Sequence, residues 1–295
     1  MKKRTSFLIG FSAGCLATIL FGASLVVWFC CPAANPALVN VILFRPLKVF
    51  DEFYGKELAG VRAEEVNITS SDGVRLFGRF YKQKGATKVA LYNHGNGGNV
   101  SMPYCLYKIN SLLSTGVSVL AYDYRGYGKS TGTPSIDGVV DDSAAAFNYL
   151  LRRGIKNDQI IVYGESLGAG VSSALCKRIN CAGVVLESGF SSVEALGKEK
   201  FDLFKLYPSW MFPKQFDNDS FVVRHHPPLL IVAGKLDEVI PWHHSQYLFD
   251  HATKPAQFAV YEDCHHAFFQ KKQSDFDARL KTFFEQCGTK IACAN

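Results

Sequence analysis

The chain has 295 residues, 48% of them hydrophobic and 20% charged, with a formal net charge of +6. That length holds an N-terminal appendage and one domain of ordinary size, and the composition is globular, with apolar residues enough for a substantial core. Five of the 32 basic residues (Lys2, Lys3, Arg4, Arg45 and Lys48) precede the first acidic residue, Asp51, and the rest of the chain balances at 27 basic against 26 acidic. No basic face suited to nucleic acid remains, and the excess charge reads as a topology signal.

Met1-Lys2-Lys3-Arg4 is followed by an uncharged, mostly apolar run from Ser6 to Cys31. About 20 such residues span a bilayer as a helix. A cleaved signal peptide is the alternative. Its apolar region is roughly 7–15 residues long and ends at a small-x-small site, and neither feature fits. Residues 1–31 are therefore expected to be a cytoplasmic basic tip and a single transmembrane anchor. The positive-inside rule then places the remainder on the periplasmic, lumenal or extracellular side. Residues 32–60 read as an apolar, aromatic and basic linker, and 61–290 as the domain.

The domain opens with two alternating runs flanking Ser70-Ser71-Asp72-Gly73, the pattern of an antiparallel β-hairpin. The pattern then changes. Short buried strands are expected at Lys88–Tyr92, Val117–Tyr122, Ile160–Tyr163, Gly183–Leu186, Pro228–Ala233 and Gln257–Tyr261. Helices are expected at Met102–Ser114, Asp137–Arg153, Ala169–Ile179 and Ser274–Gln286. Strands alternating with helices make a mostly parallel sheet covered on both faces, with the hairpin at one edge. One segment, about 190–226, breaks the alternation. It holds Phe190, Phe201, Phe204, Tyr207, Trp210, Phe212, Phe216 and Phe221. It reads either as helices packed on the domain or as a small aromatic cap over a site.

The nine cysteines show no metal-like spacing, and Cys15, Cys30 and Cys31 belong to the anchor. In an oxidising compartment the pairs 176/181 and 287/293 are the candidate disulfides, with buried free thiols as the alternative.

The chemistry centres on Ile160-Ile161-Val162-Tyr163-Gly164-Glu165-Ser166-Leu167-Gly168. A β-prone run enters Gly-x-Ser-x-Gly and a helical segment leaves it. This is the nucleophile elbow of an α/β-hydrolase, in which a sharp turn holds the serine hydroxyl out at the sheet edge. Serine is a poor nucleophile without a base, a group to orient that base, and donors for the oxyanion. In this fold the acid and then the histidine follow the serine. Asp237, after the strand ending at Ala233, is the candidate acid, with Glu238 as its neighbouring alternative. The loop Tyr261-Glu262-Asp263-Cys264-His265-His266 supplies two adjacent candidate bases. The expected oxyanion amides are Leu167, which follows the nucleophile, and Asn96 in Asn93-His94-Gly95-Asn96-Gly97-Gly98-Asn99. Two further His-His pairs, 225/226 and 243/244, raise metal catalysis as a rival, but ligand spacing of the His-x3-His kind is absent, and neither a metal nor a cofactor is expected.

Together these segments resemble the membrane-anchored α/β-hydrolases of the Bem-forty-six-like group, which also holds α/β-hydrolase-domain proteins thirteen and seventeen. Asp123-Tyr124-Arg125-Gly126-Tyr127-Gly128-Lys129-Ser130 and Glu187-Ser188-Gly189-Phe190-Ser191-Ser192 belong to the match, which covers roughly 60–285 in order. The resemblance implies a serine hydrolase with Ser166, Asp237 and His266 as its triad. His266 follows Asp237 by 29 residues, the spacing the resemblance favours over His265. Asp263-Cys264-His265 departs from the family's glycines and leaves the base open. The Asp123–Ser130 loop is expected to be structural. The implied reaction is ester or thioester cleavage on acyl-lipid or lipidated substrates. A silent hydrolase fold serving as a binding module, and a peptidase or amidase, are the alternatives.

Overall fold

A computed structural model describes residues 18–267 and 270–288. Residues 6–17 of the expected anchor, and Cys293 of one expected disulfide pair, lie outside the described residues. Residues 18–30 form helix α1. No helix among the described residues is long and apolar enough to cross a membrane. Cys176 and Cys181 are free thiols with sulfur atoms 3.9 Å apart, so the free-thiol alternative describes this pair.

Residues 32–60 are more structured than a linker. Helix α2 (Pro36–Leu43) starts at Asn35, whose side chain accepts from the Leu38 N–H at 3.2 Å, and Pro36 occupies its first turn. Proline suits that position because its missing N–H would have no helical partner there. Strand β1 (Arg45–Pro46) follows and pairs with Gly97–Gly98 in the loop after the first parallel strand. The main sheet then begins with β2 (Glu57–Leu58), β3 (Val61–Thr69) and β4 (Arg75–Tyr81). Next come β5 (Val89–Asn93), β6 (Gly97–Gly98), α3 (Pro103–Ser114), β7 (Ser118–Tyr122), α4 (Ile136–Arg152), β8 (Ile160–Glu165) and α5 (Leu167–Cys176). The chain continues through β9 (Gly183–Glu187), α6 (Val193–Lys200), α7 (Asp219–Val222), β10 (Leu229–Gly234), α8 (His243–His251), β11 (Ala256–Tyr261) and α9 (Gln273–Gln286).

The main sheet runs β11-β10-β9-β8-β5-β7-β4-β3-β2. Strands β5 and β7 to β11 pair in parallel, and β4, β3 and β2 are antiparallel at one edge. The expected hairpin is therefore β3–β4, and the six expected parallel strands are all present. Parallel strands are buried on both faces, which is why each read as a continuous apolar run. Strand β8 shows the period of two. Ile160 and Val162 pack with α4 and α5, whereas Ile161 and Tyr163 pack with α3 and α9. The small separate pair β1–β6 ties Arg45 to Gly97 and Pro46 to Gly98.

Strands β5 and β8 are neighbours, with Asn93 opposite Gly164. Helix α5 lies close against them. A Cβ on Gly168 would sit 2.0 Å from the Asn93 carbonyl oxygen, and one on Gly164 would sit 2.2 Å from the Gly168 oxygen. These are backbone atoms that cannot swing away. Gly168→Ala is expected to destabilise the fold by about 1–3 kcal/mol through overpacking, read as a lowered urea midpoint. An unchanged midpoint would mean that α5 can move off the sheet freely.

Candidate active site

Ser166 is the junction of β8 and α5, at φ 55° and ψ −116°. A non-glycine residue in such a region costs about 1–3 kcal/mol and persists only where its surroundings hold it. The Ser166 N–H donates to the Glu187 carbonyl at 2.8 Å. Glu187 is itself anchored from below. Its carboxylate takes the Lys108 Nζ at 2.6 Å and the Tyr163 hydroxyl, with the charged pair fully buried. Next to the serine, the Glu165 carboxylate accepts from Tyr92 Oη at 2.9 Å. Burial, followed by the nearby Glu187 charge, pushes the Glu165 carboxyl up to about 7.

The loops after β10 and β11 are laced together. Lys235 N–H donates to the Tyr261 carbonyl at 2.9 Å and Leu236 N–H to the Cys264 carbonyl at 3.0 Å. Gly234 permits this contact, since a Cβ there would lie 2.2 Å from the Cys264 oxygen. The lacing brings two acid–histidine pairs side by side. His266 Nδ1 lies 2.7 Å from Asp237 Oδ2 and its Nε2 lies 2.9 Å from Ser166 Oγ. His265 turns the other way, with Nδ1 3.0 Å from Glu238 Oε2 and a side chain 55% exposed. The other Asp237 oxygen accepts from the Val239 and Ile240 amides at 2.9 and 2.8 Å. Burial alone would lower the His266 pKa, but the hydrogen bond and charge of Asp237, helped by Glu165 and Glu187, outweigh it and leave it raised above 6.5. Cys264, where the resembled family has glycine, is buried and lends its carbonyl to the lacing.

Asn96 and Leu167 both line the cavity beside Ser166. Leu167 is the first residue of α5, so its N–H has no acceptor within the helix. The carbonyl on the far side of Asn96 is fixed, accepting from Arg45 N–H at 3.2 Å and Tyr127 Oη at 2.9 Å. His94 plays a different part. It is fully buried against Tyr124, and burial lowers its pKa to about 4, which keeps the ring neutral. The Asp123–Ser130 loop is tied to the scaffold. Tyr124 Oη donates to the His94 carbonyl at 2.9 Å, and Arg125 bridges Asp142 and Asp72.

The cavity over Ser166 measures about 400 Å³ and is mostly apolar. Its walls come from two separate stretches. Phe190, Val193, Leu196, Phe201, Phe204 and Phe212 belong to the segment 190–226, whereas Pro32, Val39, Ile42 and Leu43 come from the N-terminal segment and α2. The aromatic residues of 190–226 divide their duties, because Phe216 and Phe221 join the core below. Among the described residues, one group of three carboxylate or imidazole donors converges closely enough to share an ion: Glu199, His243 and His244. None of the three lines this cavity.

The sequence profile of the alpha/beta hydrolase fold matches residues 89–221. The uncharacterized protein YfhR of Escherichia coli (strain K12) is 30% identical over 251 residues, which are 82% of this chain and 84% of that one. Protein Rv2307c of Mycobacterium tuberculosis is 31% identical over 199 residues, 66% of this chain and 69% of its own. Among solved structures, the esterase Pf2001 of Pyrococcus furiosus superposes with a TM-score of 0.69 at 23% identity, covering 83% of this chain and 98% of that one. The chain belongs to the α/β-hydrolase family. The likeness to the esterase Pf2001 shows the hydrolase fold.

Two features of the hydrolase's site went unread in the sequence. Lys108 falls on the buried face of α3 with Cys105, Ile109 and Leu112, and a lone cation in that phase signals a buried partner. Helix α2 carried no motif at all. Nuclear magnetic resonance of the His266 ring is expected to show titration above pH 6.5. Asp237→Asn removes the opposing charge and is expected to lower that titration. A midpoint that Asp237→Asn leaves in place would mean that this carboxylate does not govern the ring.

Proposed function

We propose that this hydrolase is a membrane-anchored serine hydrolase that cleaves carboxylic ester or thioester bonds of acyl-lipid or lipidated substrates. The observation that carries this reading is the chain of contacts Asp237–His266–Ser166 at the floor of a largely apolar cavity. Ser166 Oγ attacks the substrate carbonyl and gives its proton to His266 Nε2. Asp237 accepts from Nδ1–H, which fixes the tautomer and favours the imidazolium that forms. The Asn96 and Leu167 N–H groups receive the developing oxyanion, an interaction whose loss typically costs about 3–4 kcal/mol of transition-state stabilisation. The imidazolium then protonates the departing alcohol or thiol. Water, activated by the same imidazole, resolves the acyl-enzyme.

The acyl-chain preference rests on the walls of the cavity, where each buried methylene contributes about 0.8 kcal/mol. The anchoring rests on the uncharged run 6–31 behind a basic tip. Its described part exposes Leu20, Phe21, Leu25, Val26, Trp28 and Phe29. The same region touches the segment 190–226, because Tyr207 Oη donates to the Val27 carbonyl at 2.5 Å. Trp210 and Leu206 are exposed nearby in sequence. The N-terminus is read as cytoplasmic and the hydrolase domain as lying on the opposite side.

A fluorophosphonate probe is expected to label the wild type and not Ser166→Ala. Hydrolysis of p-nitrophenyl esters should fall by a factor of about 10⁴–10⁶ in Ser166→Ala or His266→Ala, and stay within a few-fold of wild type in His265→Ala, since that ring is exposed and paired elsewhere. Rates should rise from acetyl to longer acyl chains. An acetyl preference would remove the acyl-lipid reading, and loss of activity only in His265→Ala would move the base. Since only the neutral ring accepts the serine proton, kcat/KM should hold at higher pH and fall as pH drops through a limb above 6.5.

A further inference from the structure

We propose a second site on this molecule, a divalent transition-metal site of the zinc class formed by Glu199, His243 and His244. His243 and His244 open helix α8, and Glu199 lies in the last turn of α6. Both imidazole Nε2 atoms approach the same carboxylate oxygen, Glu199 Oε2, each at 3.1 Å. The two rings stack, with centroids 4.9 Å apart and planes 24° from parallel. The three donor atoms all lie within 4.8 Å of one another. Tetrahedral zinc, with bonds to nitrogen and oxygen near 2.0–2.1 Å, needs its ligand atoms about 3.3–3.5 Å apart. Small movements of two exposed side chains, His243 and Glu199, reach that spacing.

The surroundings suit a cation with an open position. His244 is buried, and its Nδ1 lies 2.9 Å from Ser191 Oγ. In the tautomer that frees Nε2 for a metal, Nδ1–H donates to that hydroxyl, as the distal nitrogen of metal-bound histidines regularly does. The Ser191 N–H, 3.3 Å from the same Nδ1, favours the other tautomer in the absence of metal, so metal binding exchanges one Ser191 contact for the other. The cluster opens into a cavity of about 510 Å³ with mixed polar and apolar walls, where Asp217, Asp219 and Glu194 outnumber Lys214. It leaves room for water as a fourth ligand. The sequence hides this site because its carboxylate comes 44 residues before the first histidine.

A metal here joins α6 to the start of α8. Helix α6 also supplies Val193, Leu196 and Gly197 to the wall over Ser166, and the loop leading into α8 supplies Val239 and Ile240. The bound ion thus clamps one wall of the cavity to the loop that carries Asp237. This consequence for access rests on the reading of that cavity as the substrate site, whereas the metal site itself does not.

Isothermal titration of the full chain in detergent with zinc chloride, after removal of metals with a chelator, tests the site. One zinc per chain is expected, weakened at least tenfold in both Glu199→Gln and His243→Gln and unchanged in His225→Gln. Cobalt in place of zinc should show the visible bands of a tetrahedral site in the wild type and lose them in the first two variants. Both altered residues are partly exposed, so the metal-free variants should melt where the wild type does. Absence of zinc binding, or wild-type affinity in either Glu199→Gln or His243→Gln, would overturn the site. Hydrogen exchange across Val193–Lys200 should slow on zinc addition, and unchanged exchange with zinc bound would overturn the clamp. A loss of esterase activity in Ser166→Ala, or its absence in the wild type, moves none of these readouts.

Discussion

The conformation of one residue governs the upper edge of this sheet. Ser166 stands at positive φ between a strand and a helix, and left alone it would relax by about 1–3 kcal/mol. What opposes relaxation is spread over five elements. Strand β9 holds its N–H through the Glu187 carbonyl. Glycines on either side let α5 press on β5 to near backbone contact. Lys108 from α3 and Tyr163 from β8 hold the Glu187 side chain. A buried ion pair of this kind adds little net stability, but removing one partner is costly, commonly about 3–5 kcal/mol, because a charge is left buried alone. The pair therefore acts chiefly as a lock on the position of Glu187, and through it on the serine turn.

The second constraint is the lacing of the β10 and β11 loops. It sets Asp237–His266 and Glu238–His265 one residue out of step, so each histidine meets the acid one step along from its neighbour's. The inner pair is mostly shielded, with the Asp237 side chain 1% exposed and that of His266 20%. The outer pair is a surface contact that contributes little. Burial thus distinguishes two pairs that are chemically alike.

That distinction marks where the sequence was legible and where it was not. Strands buried on both faces announce themselves as apolar runs, and β5, β7, β8, β9, β10 and β11 are legible from them, whereas their order in the sheet is not. The serine turn and the Asp237 loop could be found because their glycines and flanking strands are local features. The choice between His265 and His266 could not be made locally, since adjacent loop side chains point apart and only the fold says which points inward. The Lys108–Glu187 pair joins residues 79 positions apart. Strand β1 has no local signature because its partner, Gly97–Gly98, lies in a glycine loop that itself carries no strand pattern.

Helix α2 has a consequence for the cavity. Val39, Ile42 and Leu43 line the space above Ser166 together with Val193, Leu196 and Phe204, so the cavity is shared between the main domain and the segment that follows the apolar N-terminal run. On the proposed reading, the substrate chain would lie against the same stretch that the anchor would use as its tether. The most direct measurement is a crystal structure of the protein inactivated with a long-chain alkyl phosphonate. Phosphorus should be bonded to Ser166 Oγ, with the phosphoryl oxygen about 2.7–3.1 Å from the Asn96 and Leu167 amides and the alkyl chain lying between α2 and α6. A phosphoryl oxygen turned away from those amides, or a chain running out to solvent, would contradict it.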